Sequence, residues 1–122
     1  GLIAMGDFSL ESGEEAGHML LAQPQPPSAI FALNDRMALG VMRAASARGI
    51  AVPHDLSVIG FDDIQPAALA TPPLTTVRQP GFALGEVAAK ALFALLDGAP
   101  PPPAAVIPTE FIARSTTGRP RT

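Results

Sequence analysis

The chain has 122 residues, 48% of them hydrophobic and 16% charged, with a formal net charge of −3. That is the composition of one globular domain with a real core, too short for two. Cysteine is absent, which excludes disulfides and thiolate metal sites, and no apolar run approaches the roughly 20 residues that span a bilayer.

The N-terminal stretch lacks the basic n-region and long apolar core of a signal peptide. It starts Gly1-Leu2-Ile3, without a methionine and almost inside a strand, as a piece of a longer protein would. Residues 2–6 are expected to form that short strand. Ser9 then caps a helix from about Leu10 to Ala22, closed by Pro24-Gln25-Pro26-Pro27. At roughly 100° per residue, Glu11, Glu14, Glu15 and His18 share one arc, and Ala16, Met19 and Leu20 the other.

Ala29 to Leu33 is apolar throughout, the pattern of a strand covered on both faces. A helix follows from Asp35 to about Arg48, capped by Asn34 or Asp35 and stopped by Gly49. Met37, Ala38, Val41, Ala44 and Ala45 make its sheet-facing side, while Leu39 and Met42 project elsewhere. A second apolar patch on a helix favours a second partner over stray surface residues. Arg36, Arg43 and Arg48 on this helix are explained by a solvated face. The chain holds seven arginines and one lysine, with no clustered positive face of the kind that nucleic-acid binding needs.

Leu56 to Phe61 reads as the next buried strand, residues 64–73 as irregular, and Thr75 to Arg78 as a short strand. Gln79-Pro80 opens a helix that runs to Asp97 and is followed by Gly98. Glu86 and Lys90 pair on its polar side. Leu84, Val87, Ala88, Ala91, Leu92 and Leu95 form a broad apolar stripe. A stiff Pro100–Pro103 spacer precedes a last strand near Val106 to Ala113, and the tail from Ser115 is expected to be loose. Strand and helix alternate with short connectors, so the expected fold is α/β with a parallel, doubly wound sheet.

Three expected strands run directly into polar clusters: Gly6-Asp7-Phe8-Ser9, Asn34-Asp35 and Asp62-Asp63. Carboxyl ends of parallel strands share one edge, where open α/β folds bind ligands. Phe8 is either core or an aromatic plane at a pocket rim. Of Asn34 and Asp35, one caps the helix and the other is left to face the crevice. Asp62-Asp63 has three readings: a turn cap beside a solvated neighbour, a ligand contact, or a Mg²⁺ site for phosphoryl transfer. The last lacks a phosphate loop of the GxxxxGK type. His18 and His54 have no Ser or Cys partner at suggestive spacing, and no metal site is expected.

Four segments in order resemble the lactose/galactose-repressor family of bacterial transcription regulators. They are Gly6-Asp7-Phe8-Ser9, the run from Ala32 to Gly40 (with Asn34-Asp35-Arg36-Met37-Ala38-Leu39), the run from Val52 to Asp63, and Pro72-Pro73-Leu74-Thr75-Thr76-Val77-Arg78-Gln79-Pro80. The resemblance implies the C-terminal subdomain portion of a periplasmic-binding-protein-like (type I) effector domain. Residues 1–79 would form most of that subdomain and 80–98 a crossover helix of the N-terminal subdomain. Residues 99–103 would be a proline linker, 104–117 the returning strand, and 118–122 a tail. It also implies effector contacts at Phe8, Asn34, Asp62 and Gln79, and a homodimer interface including Leu10, Leu39, Met42, Ala67, Leu69 and Leu74. The family's helix-turn-helix, hinge helix, most of its N-terminal subdomain, an inner strand and a helix with an effector-binding arginine have no counterpart here. Weak effector binding, an incomplete sheet and an uncovered stripe on helix 80–97 follow as expectations.

The function this implies is effector sensing and dimerisation in a DNA-binding regulator, most simply a cytoplasmic repressor that responds to a sugar. No catalysis, cofactor or membrane contact is expected, and DNA would be reached only through the missing helix-turn-helix. The rivals are a fragment of a periplasmic sugar-binding protein of a transport system and a metal-dependent enzyme using Asp62 and Asp63.

Overall fold

The computed structural model describes residues 2–119. Its first helix, α1 (Leu10–Leu21), begins where expected, because the Ser9 hydroxyl accepts from the Ser12 amide at 3.0 Å. It buries Gly13, Ala16, Gly17 and Leu21. Met19, expected among the inward residues, is 61% exposed; it lies one position beyond the buried stripe. Helix α2 (Asp35–Ala47) is capped by Asn34, whose Oδ1 accepts from Met37 N at 2.8 Å, and ends before Gly49 at φ +68°.

Glycines set how close α1 and α2 lie. A Cβ on Gly13 would run into the Met37 backbone, and one on Gly40 into the backbone of Leu10, Gly13 and Glu14. Bulkier residues would hold the helices apart.

Between these helices and the rest of the chain lies an open sheet. Strands β1 (Ala29–Phe31) and β2 (Ser57–Ile59) are parallel, with Ile30 opposite Val58. Parallel bridges Ile59–Thr75 and Asp62–Arg78 carry β2 across to β3 (Thr76–Arg78). Strand β4 (Glu110–Ile112) returns antiparallel to β3, with Val77 opposite Phe111. The core is Leu56, Val58 and Leu74 with Ala38, Ala44, Ala45 and Ala67, each at most 1% exposed.

Two expected strands differ. Residues 2–6 form no strand, and Ile3 and Met5 are 86% and 88% exposed. A strand needs a neighbour to hydrogen-bond, and among the described residues β1 pairs only with β2. The gap is a cavity of about 380 Å³ lined by Leu2–Ala4, Ala29–Leu33, Met37 and Val41 among others. Strand β1 was expected to be covered on both faces, but Phe31 is 55% exposed and Leu33 64%.

The segment expected to be irregular contains a short helix, α3 (Gln65–Leu69), pinned by Leu74 N donating to Ala67 O at 2.8 Å. Helix α4 (Gly81–Leu96) buries no residue. Its stripe residues Leu84, Val87, Leu92 and Leu95 are 40–55% exposed. The segment beyond β4 is not loose at first: Thr116 is fully buried, donates to Val58 O at 2.7 Å and accepts from Thr75 N at 2.8 Å.

Candidate functional site

The three polar clusters meet at one sheet edge. Phe8 stands just ahead of α1, 61% exposed and at φ +68°. Asn34, at the end of β1, donates from Nδ2 to Phe8 O at 3.0 Å. Its neighbour Asp35 donates from its backbone to Phe61 O at 2.8 Å, which seats the β2 end beside the β1 end. Asp62 follows at φ +115° and Asp63 at φ +60°. Gln79, just past β3, donates from Nε2 to Asp62 Oδ1 at 2.6 Å. The edge thus gathers Phe8, Asn34, Asp62 and Gln79.

All three non-glycine residues with positive φ among those described belong to this edge: Phe8, Asp62 and Asp63. Side-chain-bearing residues rarely adopt that region, and strain of this kind gathers where a side chain must be aimed. The framework supports it with hydrogen bonds on both sides. Asp62 N, for example, donates to Val77 O at 2.8 Å.

Asn34 and Asp35 divide the work differently from either simple expectation. Asn34 is the cap, and its amide also holds Phe8, so it faces the edge while serving the helix. Asp35 does not face the crevice. It is fully buried, accepting at Oδ1 from Thr76 Oγ1 at 2.5 Å and at Oδ2 from Ile64 N at 2.9 Å. Burial pushes its carboxyl above the usual range, against the lowering effect of the bonds from Thr76 and Ile64. Asp35 therefore ties α2 to β3 and to the turn that carries Asp62.

Asp63 is neither a turn cap nor solvated. Its side chain is 7% exposed and bridges Arg114 at 2.5 Å and Arg78 at 2.7 Å. Burial works against its charge, but bonding and attraction to the two guanidiniums outweigh burial and hold the carboxyl below the ordinary range. Arg78 reaches Glu110 as well, at 3.1 Å. This network escaped sequence reasoning; the alternation of Arg78 with Val77 on a short strand was its only trace. With Asp63 occupied by two arginines, the adjacent carboxylates are not a pair open to Mg²⁺.

On the opposite flank, Asp7 accepts from Ser9 N at 2.9 Å and lies against the Ser12 hydroxyl. The bonds from Ser9 lead in drawing its carboxyl down to about 2.

The residues expected at a dimer interface separate into two groups. Leu39 and Met42 are half-buried and line, with Leu10, Arg43, Ser46, Pro66 and Thr71, a groove of about 380 Å³. Leu69 is 74% exposed nearby on α3. Ala67 and Leu74 are 0% exposed inside this chain's own core. They offer no side chain to a partner, because α3 folds back and packs them beneath itself.

Comparison with known proteins agrees with this architecture. Residues 2–117 match the periplasmic binding protein-like domain family. The HTH-type transcriptional repressor CytR of Escherichia coli K12 is 47% identical over 95 residues, covering 78% of this chain and 27% of the repressor. The structure of a dimeric Lac repressor with a C-terminal deletion superposes with a TM-score of 0.86 and 35% identity, covering 95% of this chain and 43% of that one. A transcriptional regulator CelR–cellobiose complex gives 0.82 and 35%, covering 91% of this chain and 34% of that one. The chain thus spans about a quarter of that repressor's length and between a third and just over two-fifths of these structures. These likenesses are to repressors and regulators, not to enzymes. The chain belongs to the periplasmic-binding-protein-like domain family, in the form found in LacI-family transcriptional regulators.

Proposed function

We propose that this chain is the effector-sensing and dimerising part of a cytoplasmic DNA-binding repressor that responds to a small polar metabolite, in the first place a sugar. The observation that carries the reading is the edge where the Phe8 ring, the Asn34 and Gln79 amides and the Asp62 carboxylate are held together on strained backbone. An exposed ring with hydrogen-bonding groups beside it suits a ligand with an apolar face and a hydroxylated rim. The neighbour named as a CelR–cellobiose complex supports a sugar.

Residues 1–79 with 104–117 would form the sensing subdomain, and 80–98 would belong to its partner subdomain. Effector binding would favour one closure of the cleft and so shift the population of the DNA-bound state. Leu10, Leu39, Met42 and Leu69 would lie in the homodimer interface, a reading supported by the dimeric Lac repressor neighbour. DNA would be contacted only through a helix-turn-helix outside this chain. A periplasmic transport protein is not favoured, since the relatives are repressors.

A thermal-shift screen of the chain against sugars and nucleosides tests the reading. A stabilising compound should lose its effect on Asp62→Ala while sedimentation still gives the same assembly. An effect that survives the substitution places the pocket elsewhere.

A further inference from the structure

The edge described above is poor in free cations. Asp7, Asp62, Asp63 and Glu110 set four carboxylates against the guanidiniums of Arg78 and Arg114. Both guanidiniums are already ion-paired, Arg114 largely buried and Arg78 49% exposed. Arg114 bonds Asp63 Oδ1 and donates to Leu74 O at 2.8 Å, and Arg78 bonds Asp63 Oδ2 and Glu110. Arg36 lines the adjoining groove with Ser9, Leu10 and Leu39, and Lys90 is paired with Glu86 on α4. The start of α2 could otherwise draw an anion. Asn34 Oδ1 occupies its Met37 amide, and buried Asp35 adds a carboxylate within its first turn.

Left for a ligand are the face of Phe8, the second amide proton of Asn34, the second proton and the carbonyl of Gln79, and the remaining oxygen of Asp62. That set accepts from neighbouring hydroxyl or amino groups, and to a carboxylate or phosphate it offers two neutral amide protons and no positive charge. Resting on the effector reading, we propose that this edge selects uncharged ligands with adjacent O–H or N–H donors over their anionic counterparts. Asp63 sets that selectivity by occupying Arg78 and Arg114. It is a specificity-determining residue that acts through the arginines and touches no ligand itself.

The test uses matched pairs differing in charge: glucose and glucuronate, ribose and ribose 5-phosphate, uridine and uridine 5′-monophosphate. Each is titrated into the full chain while the side-chain amide signals of Asn34 and Gln79 are followed by NMR. At least one neutral member should bind more tightly than its anionic partner by about fivefold or more, the like-charge penalty for unit charges ~4 Å apart in water-like surroundings. Asp63→Asn should narrow or invert the preference by releasing Arg114, and Asp63→Glu should keep it. If Asp63→Asn does not fold, Asp63→Ser carries the same arm. Equal binding of both members by the wild type, or an unchanged preference in the neutral variant, overturns the selectivity alone. Silence of both signals toward every compound removes the effector reading and this inference with it.

Discussion

Gly40→Ala should damage both stability and the site, because no neighbouring side chain can yield to the added methyl. The new Cβ would lie 2.5 Å from Glu14 N and 2.8 Å from Gly13 C, and nearer still to Leu10 O. Carbon contacts normally settle at about 3.5 Å, so α1 must retreat by about 1 Å. Overpacking of this kind costs roughly 1–3 kcal/mol, and backbone obstacles place this case at the upper end. Alanine returns about 1 kcal/mol in helix propensity, leaving a net loss of about 2 kcal/mol. For a chain of this size that lowers Tm by about 8 °C, measurable by circular dichroism. The retreat also stretches the bond from Asn34 Nδ2 to Phe8 O, since Phe8 leads into α1. The matched control is Gly85→Ala on α4, where an added Cβ meets nothing within 4 Å; it should leave Tm in place and slightly raise helicity. A Gly40→Ala protein that melts with the wild type would refute the close-approach argument.

Leu39→Asp should give monomers by sedimentation, because it puts a charge in the groove that Leu10 and Met42 line; a persisting dimer would remove this interface. Phe8→Asn keeps the backbone bond from Asn34 and suits the positive φ better than phenylalanine does. Its Tm should match or slightly exceed the wild type, with any ligand response lost. Asp63 has a depressed carboxyl in the folded chain. Its contribution is therefore complete above the unfolded value of about 4 and lost as pH falls through the folded value. Urea midpoints of wild type and Asp63→Asn should differ at pH 7 and draw together as pH falls below the unfolded value of about 4; parallel curves would rule out the clamp as the cause.

The helices were legible in the sequence because their signals are local. Ser9, Asn34, Gly49 and Gly98 mark ends by capping and by backbone freedom, and the 3.6-residue period marks the faces. The polar clusters that end β1 and β2 were legible too, since each follows its apolar run directly in the chain. What depended on partners was not. Residues 2–6 have a strand's composition but no neighbour to pair with, so they stay extended and exposed. Ala67 and Leu74 look like surface apolars until α3 folds them inward. The Asp63 clamp joins residues 15 and 51 positions apart, a separation over which no spacing rule reads a contact. Which of Asn34 and Asp35 would face the crevice stayed open for the same reason: the partners of Asp35, Thr76 and Ile64, lie 41 and 29 residues away.

Because β3 and β4 run side by side in opposite directions, the chain leaves the sheet and comes back through a single two-ply neck. Such a neck resists being pulled apart but twists easily along its length. Whatever is carried beyond it, beginning with α4, is therefore tethered through these two plies along the neck's own axis. Asp63 grips both plies, through Arg78 at the far end of one and the residue 114 guanidinium just past the other. A disturbance at the neighbouring Asp62 consequently reaches that axis within one residue.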